Sequence, residues 1–504
     1  MALGRNVLAN IIGQAIRAIT GIVFVPIYVR FIGMESYGLI GLFAVLQTWL
    51  VLLDFGLRPA LGREMARFTG GAHTVEWIWN LLRTVEIIGL GISLAVAAGT
   101  ALAAPWLARN WVNSNTLDAS TVTEAFMLMG AVTALRFVEN IYTSCLAGLQ
   151  RQVLEVTVSS CSAIVRGVGA IAVLAWVSPT IEAFFAWQCI TSIATVLVLV
   201  ALVYGVLPSP ARRARFERAT LFGIRRFASG ILILSLQSLI ITNLDKVLLS
   251  RLLSLKDFGS YALIGVAANA LGMLTHPIAA ALTPRLTEVA TRRDEAELAR
   301  VYQLGCQGVA VLSGAAAAVL MAFSDRFLLL WTRNPEIAGT LAPLLMLMVF
   351  GSLLNALGYV PYHLQLATGW TALATVYNTA LILVLVPSLV ILVPMYGALG
   401  ASAAWASLNL VYLVLNIPIM HRRLLRGELW RWYGNALLPI AVAMTMAFAL
   451  RWLVPAFESR LAELVVIVAV SGLTLAAATA AAPALRSYLL RLSQARFALR
   501  AASH

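Results

Sequence analysis

Apolar runs about twenty residues long follow one another along almost the whole of this chain, and they leave it few ways to fold. The hydrocarbon core of a bilayer is about 30 Å thick, so a spanning helix needs roughly 20 such residues. A helix also satisfies its own backbone N–H and C=O groups, which lipid cannot do. About fourteen candidates have this length. They are 8–29, 37–55, 78–104, 122–146, 153–177, 181–207 and 227–249, then 258–282, 301–323, 341–366, 372–393, 398–419, 435–453 and 461–482. The chain is 61% hydrophobic and 12% charged, against about 45–50% and about 25% in soluble domains. Pro208–Arg226 and Pro284–Arg300 are the longest stretches outside the spans, each too short for a soluble catalytic domain of ~50 residues or more. The expected fold class is an all-α integral membrane protein.

The runs also repeat. Phe31–Gly38 reads F-I-G-M-E-S-Y-G, and Leu252–Gly259 reads L-L-S-L-K-D-F-G. Tyr142 and Leu146-Ala147 are matched, in nearly the same register, by Tyr362 and Leu366-Ala367. Both matches sit at the ends of apolar runs, so the repeating unit is a bundle of spans. A duplicated bundle forms two lobes around a central cavity, the design of a carrier. The expected layout is an N-lobe over 1–207 with spans 1–6 and a cytoplasmic linker over 208–226. A C-lobe over 227–420 with spans 7–12 follows, then a terminal helix pair with a basic tail over 421–504.

The net charge of +14 would suggest nucleic acid in a soluble protein. Here its distribution reports topology. With a cytoplasmic N-terminus, about two-thirds of the Lys and Arg residues fall in loops and ends on that side, which fixes both termini in the cytoplasm. Residues 1–30 have a basic start, but the apolar run is too long for a signal-peptide core and reads as a retained first span. Cys145, Cys161, Cys189 and Cys306 lie inside or at the edges of apolar runs without metal-type spacing, and read as buried packing residues.

A charge near the bilayer centre costs roughly 2.5–3.5 kcal/mol on insertion scales, so charged residues there face the bundle interior or a water-filled cavity. Asn10, Gln14, Arg17 and Gly21 share one face of span 1, and the repeat carries that face onto Ser235, Ser238 and Thr242, with Asp245 one turn further. Span 4 carries Arg136, Glu139, Asn140 and Thr143; span 5 carries Glu155, Ser159, Ser162 and Arg166. Each has a plainer reading. Arg136 and Glu139 are i,i+3 neighbours able to neutralise each other, and Arg83 and Glu86 lie within reach of the cytoplasmic interface. Asp54 can cap its own loop or pair with Arg58, Asp245-Lys246 can be interfacial, and His276 and His363 can be packed, hydrogen-bonded residues. Arg17 and Arg166 have no partner within their own helices. Arginine suits an anionic, phosphate-bearing ligand because its planar fork donates two parallel hydrogen bonds and stays charged.

The first sixty residues carry Asn6-x-x-x-Asn10-Ile-Ile-Gly13-Gln14, Pro26-Ile-Tyr-Val-Arg-Phe-Ile-Gly33-x-x-x-Tyr37-Gly38 and Leu53-Asp54-Phe55-Gly56-Leu57 before Arg58-Pro59-Ala60. In these motifs, and in topology along its whole length, the chain resembles the polysaccharide-transport branch of the multidrug/oligosaccharidyl-lipid/polysaccharide exporter superfamily, the O-antigen and exopolysaccharide flippases. The resemblance implies a flippase, not an enzyme, in a bacterial inner membrane. It would move an undecaprenyl-diphosphate-linked oligosaccharide from the inner to the outer leaflet by alternating access. Arg17, Arg166 and Arg136, with Asn10 and Gln14, would line the diphosphate site. No cofactor is implied; coupling to a proton or sodium gradient would run through Asp54, Glu139, Glu155, Asp245 or His276, among which the sequence does not choose. Membrane lipids are the implied surroundings, and the terminal pair could meet a polysaccharide polymerase. Three rivals remain: a lipid II flippase, which shares the lobes and a cationic cavity; an ion-coupled drug antiporter, against which the cationic stripes argue; and a membrane glycosyltransferase or ligase, whose catalytic groups the short outer loops do not supply.

Overall fold

The computed structural model describes residues 12–487, apart from 15, 17, 18, 55, 211, 218–235, 237, 238, 241 and 242. Among the described residues the protein is built of helices, and 11 of them are long and apolar enough to cross a membrane. Large apolar side chains such as Leu102, Trp176 and Trp452 are almost fully exposed, as lipid-facing residues are in an integral membrane protein. The expectation of fourteen spans rests partly on the first, of which residues 8–11, 15, 17 and 18 lie outside the described set, and on the seventh, most of whose residues do. Spans 11 and 12 run together as one apolar helix over 372–423. Within it, α12 (Thr371–Val411) would be roughly 60 Å long if straight, twice the hydrocarbon thickness. It breaks at Gly397, where φ is 59° and ψ −139°, a conformation that only glycine adopts without strain.

Contacts divide the chain into two compact units, Met1–Ala262 and Leu263–His504. In the first, α1 (Val25–Leu53) is broken at Gly33 (φ 79°), which separates the end of span 1 from span 2. Then come α2 (Leu57–Thr69), α3 (Val75–Asn110), α4 (Ala119–Gly148), α5 (Gln152–Trp176) and α6 (Ile181–Val206). Thr74 and Thr180 cap α3 and α6, accepting the backbone N–H of Trp77 and Ala183. Helix α4 is the hub and packs on α1, α2, α3, α5 and α6. The core around it is formed by Leu61 and Met65 from α2, Leu81 and Leu82 from α3, Ile141 and Cys145 from α4, and Leu199 and Val203 from α6.

Both copies of the glycine motif lie in this unit, and they touch each other. A Cβ on Gly38 would run into the Leu255 carbonyl oxygen. Reciprocally, a Cβ on Gly259 would run into the Met34 carbonyl oxygen and stand 3.0 Å from Gly38 N. Gly41 faces Ala262, with 2.9 Å left for any Cβ. Met34 matches Leu255 in the repeat, Gly38 matches Gly259 and Gly41 matches Ala262. The loop between α3 and α4 closes over this corner: the Glu35 carboxylate accepts the N–H of Asn115 at 2.5 Å, and the N–H of Leu255 donates to the Asn113 carbonyl at 2.8 Å.

The described start of the expected linker is a strap laid across α3. Trp79 Nε1 donates to the Pro208 carbonyl at 2.8 Å, and the N–H of Arg215 and of Glu217 donate to Asn80 Oδ1 and Thr84 Oγ1 at 2.9 Å each.

The second unit takes in most of α7 (Leu255–Arg292), with α8 (Glu295–Ala322), α9 (Ser324–Thr332), α10 (Pro335–Leu357) and α11 (Tyr359–Ala367). After α12 the helix continues through a π-helical turn, Tyr412–Asn416, into α13 (Ile417–Arg423), then α14 (Leu429–Leu453) and α15 (Arg460–Ala480). Pro284–Arg300, expected as a loop, is instead mostly helix: α7 runs to Arg292 and α8 restarts at Glu295 under an Asp294 cap. Exposed ion pairs, Arg285 with Glu288 and Glu297 and Arg300 with Glu297, stitch the two helix ends together.

The terminal pair α14–α15 packs on α8 through small residues: Ala315 and Ala318 meet Ala443, Ala447 and Ala478. Small residues let helix backbones approach closely where lipid supplies no hydrophobic drive. Arg326, nearly buried, donates to the carbonyls of Val454 and Pro455 at 2.9 and 3.0 Å and pairs with Glu463 at 3.6 Å. Cys145 and Cys306 are buried as expected, whereas Cys161 is exposed, on the outward face of α5.

Candidate functional site

Four charged side chains expected to matter, Arg136, Glu139, Glu155 and Arg166, lie on α4 and α5, and three of them converge. Arg136 and Glu139 stand one turn apart on α4, and Arg166 reaches them from α5. The Glu139 carboxylate accepts a short hydrogen bond from Arg166 Nη2, so its partner is on the neighbouring helix and not Arg136 on its own. Arg136 Nη2 donates to Gln188 Oε1 at 3.0 Å, and its guanidinium lies 5.0 Å from the centre of the Phe43 ring of α1, a cation–π contact. Arg166 Nη2 also lies 3.3 Å from Ser192 Oγ and 3.5 Å from Thr195 Oγ1. Thr195 and Ser162 in turn lie 3.1 Å apart.

Four helices therefore surround two guanidinium groups and one carboxylate. The side chains of Arg166 and Glu139 are only 16% and 10% exposed, so solvent does little to offset their charges. Nε of Arg136 and Nε of Arg166 are both buried without a hydrogen-bond partner. A guanidinium has five donors, and an unmade hydrogen bond on a buried group costs about 1–3 kcal/mol, more for a charged one. The cluster holds an excess positive charge and open donors, which together suit an anion with several oxygens.

Gln188, Ser192 and Thr195 escaped notice in the sequence, as did Gln47, whose amide donates to Thr133 at 2.9 Å. Their signal was present: Gln188, Thr191, Ser192 and Thr195 recur at helical spacing in an otherwise apolar span, and all four are buried.

The other expected residues lie apart from the cluster. Asp54 lines a small pocket with Gln47, Arg58, Phe137 and Asn140. There it accepts the N–H of Gly56 at 2.6 Å and pairs with Arg58 at 3.6 Å, so both plainer readings of Asp54 hold. Glu155 accepts from Ser159 at 2.9 Å, about three turns from Arg166 along α5. Asp245 takes the Tyr261 hydroxyl at 2.9 Å and Lys246 at 3.5 Å. Glu86 binds Arg83 at 3.2 Å and receives the hydroxyls of Tyr142 and Tyr204.

In the second unit His276 packs edge-on against Tyr359, ring centres 4.5 Å apart, and His363 Nδ1 lies 2.7 Å from Thr283 Oγ1. Gln14 is exposed. Asn10 and Arg17 lie outside the described residues.

Comparison with known proteins shows what the whole chain is similar to. A putative O-antigen transporter from Shigella flexneri is 21% identical over 415 residues, covering 81% of this chain and 94% of its own length. Two solved structures share the fold. The lipid II flippase MurJ, in an inward closed conformation, has a TM-score of 0.69 at 12% identity over 93% of this chain and 97% of its own. An inward-facing multidrug resistance MATE family transporter of the MOP superfamily has a TM-score of 0.65 at 16% identity, over 83% and 99%. The sequence profile of polysaccharide biosynthesis proteins matches residues 3–290, more than half of the chain, and the protein belongs to that family.

Proposed function

We propose that the protein is a flippase carrying a lipid-linked oligosaccharide across a bacterial inner membrane, its diphosphate held by the α4–α5–α6 cation cluster. The observation that carries this reading is the pair of buried guanidinium groups, each with an Nε that meets no acceptor. A diphosphate offers planar forks the paired oxygens they fit. Family membership and the O-antigen transporter relative support an undecaprenyl-diphosphate oligosaccharide as the cargo. In this reading both termini are cytoplasmic, as the Lys and Arg distribution favours, and two lobes rock about the site to present it to each leaflet. Arg17, with Asn10 and Gln14, would complete the diphosphate site from span 1. Coupling to a proton or sodium gradient would use Glu139, Asp54, Glu155, Asp245 or His276, and the terminal pair is where polymerase machinery would dock.

A lipid II carrier is the second reading, favoured by the likeness of fold to MurJ. Its cargo bears the same diphosphate, so the cluster serves either. A drug antiporter would want an acidic or aromatic lining for a cation, whereas here Glu139 and Phe43 are already engaged by two arginines.

The test is the sidedness of lipid-linked oligosaccharide in vesicles with and without the protein. Wild type should move it to the outer leaflet, and Arg166→Gln or Arg136→Gln should leave it on the inner one while the protein still inserts. Wild-type transport by both variants would remove the diphosphate assignment. Exchange of lipid II in preference to the oligosaccharide lipid would select the second reading.

A further inference from the structure

We infer that Glu139 is a built-in stand-in for the substrate's phosphate: it occupies Arg166 when the site is empty, yields to the arriving diphosphate, and returns to drive release. The inference rests on the diphosphate reading above and gives one of its residues a role that reading leaves open.

The geometry of Arg166 is the starting point. Its contacts with Glu139, Ser192 and Thr195 all run through Nη2. The Nε side of the same guanidinium is buried and has no acceptor. Carboxylate and phosphate typically take arginine through two parallel N–H bonds. Glu139 therefore engages Nη2 and leaves the Nε N–H of the same guanidinium without an acceptor. A phosphate that reaches this guanidinium finds an N–H that Glu139 does not use, and competes with Glu139 for the rest.

Two anions on one guanidinium repel each other, and the low dielectric of a buried site strengthens that repulsion. Phosphate binding therefore weakens the hold of Glu139, and by reciprocity Glu139 weakens the hold on phosphate to the same degree. Arg136 adds to the bias. It sits one turn from Glu139 on α4 and hydrogen-bonds Gln188, a neutral amide, so its guanidinium is not bonded to the carboxylate. A displaced Glu139 keeps a cation close by, while a bound diphosphate finds two.

A carrier needs this moderation. Two buried cations without a resident anion would hold a diphosphate too tightly to let it go, and tight binding of one state lowers turnover. The plain alternative is that Glu139 only keeps Arg166 in position. The two roles predict opposite changes in affinity when the carboxylate is removed.

The experiment is titration of the purified full-length protein with inorganic pyrophosphate, by calorimetry, for wild type, Glu139→Gln, Glu139→Asp, Arg166→Gln and Arg136→Gln. Glu139→Gln should bind pyrophosphate about tenfold more tightly or better, and flip lipid-linked oligosaccharide more slowly. Glu139→Asp, which keeps the charge but draws it back by one methylene, should lie between it and wild type. Unchanged or weaker binding in Glu139→Gln, with the arginine variants impaired, would overturn the stand-in role and leave the diphosphate site intact. Should the Gln variant not survive purification, unchanged or weaker binding by the Asp variant overturns the role in the same way. Wild-type affinity in both arginine variants would instead remove the site itself, and the inference with it.

Discussion

Gln188 shows how a single neutral side chain can set the state of a charge. Its amide oxygen is the acceptor for Arg136 Nη2, and the rest of that guanidinium relies on the Phe43 ring face. Replacing Gln188 by Leu removes the acceptor without changing the volume much, so the protein should lose about 1–3 kcal/mol of stability, read as a lower melting temperature in detergent. Gln188→Glu should restore the melting temperature but weaken pyrophosphate binding, because it cancels the spare charge. The charged members of the site were legible in the sequence because charges inside spans are too costly to be casual. Their partners were not. The spacing of Arg136 and Glu139 allowed a pair within α4, and only the approach of α5 decides that Glu139 takes Arg166. Gln188, Ser192 and Thr195 carry no charge, so the helical stripe they form stood out less against Ile181–Val206 than a lone arginine would have.

At the scale of elements, the tight corner between Met34–Gly41 and Leu255–Ala262 makes a sharp prediction. A side chain at Gly38 or Gly259 collides with backbone oxygen, which cannot rotate away as a flexible side chain could. Gly38→Val and Gly259→Val should each cost about 1–3 kcal/mol, as overpacking does. The double variant should depart from additivity, because the two sites share their neighbours; thermal unfolding of the four proteins measures both effects. Helix positions were largely readable from apolar run length, and helix ends were not. Pro284 and the charges after it looked like a loop, yet a proline with charged neighbours can ride on a helix that has left the bilayer, where α7 and α8 bind each other through Arg285, Glu288, Glu297 and Arg300. The breaks at Gly33 and Gly397 follow from positive φ, a demand that glycine alone hints at but does not announce.

For the whole molecule, the strap over 208–217 offers a direct check of topology. It lies on α3 with Arg212 and Arg213 exposed, so cysteines placed there, in a protein whose own four are replaced by Ala, should react with a membrane-permeant maleimide and ignore an impermeant one added to intact cells. Labelling by the impermeant reagent would invert the orientation. The two units differ in where their charges meet: the α4–α5 cation cluster lies in the first, while in the second Arg326 pairs with Glu463 and His276, His363 and the Asn355–Asn409 amides lie in its helices. At the corner the match that survives is Gly38 with Gly259. There Met34 meets Gly259 as Leu255 meets Gly38, the reciprocal pattern of an isologous dimer interface, in which one surface recognises its own copy. A side chain at either glycine is felt at once by the other copy, so neither glycine can drift alone. What the repeat keeps at this corner is one glycine in each copy, held there because the two backbones press against each other.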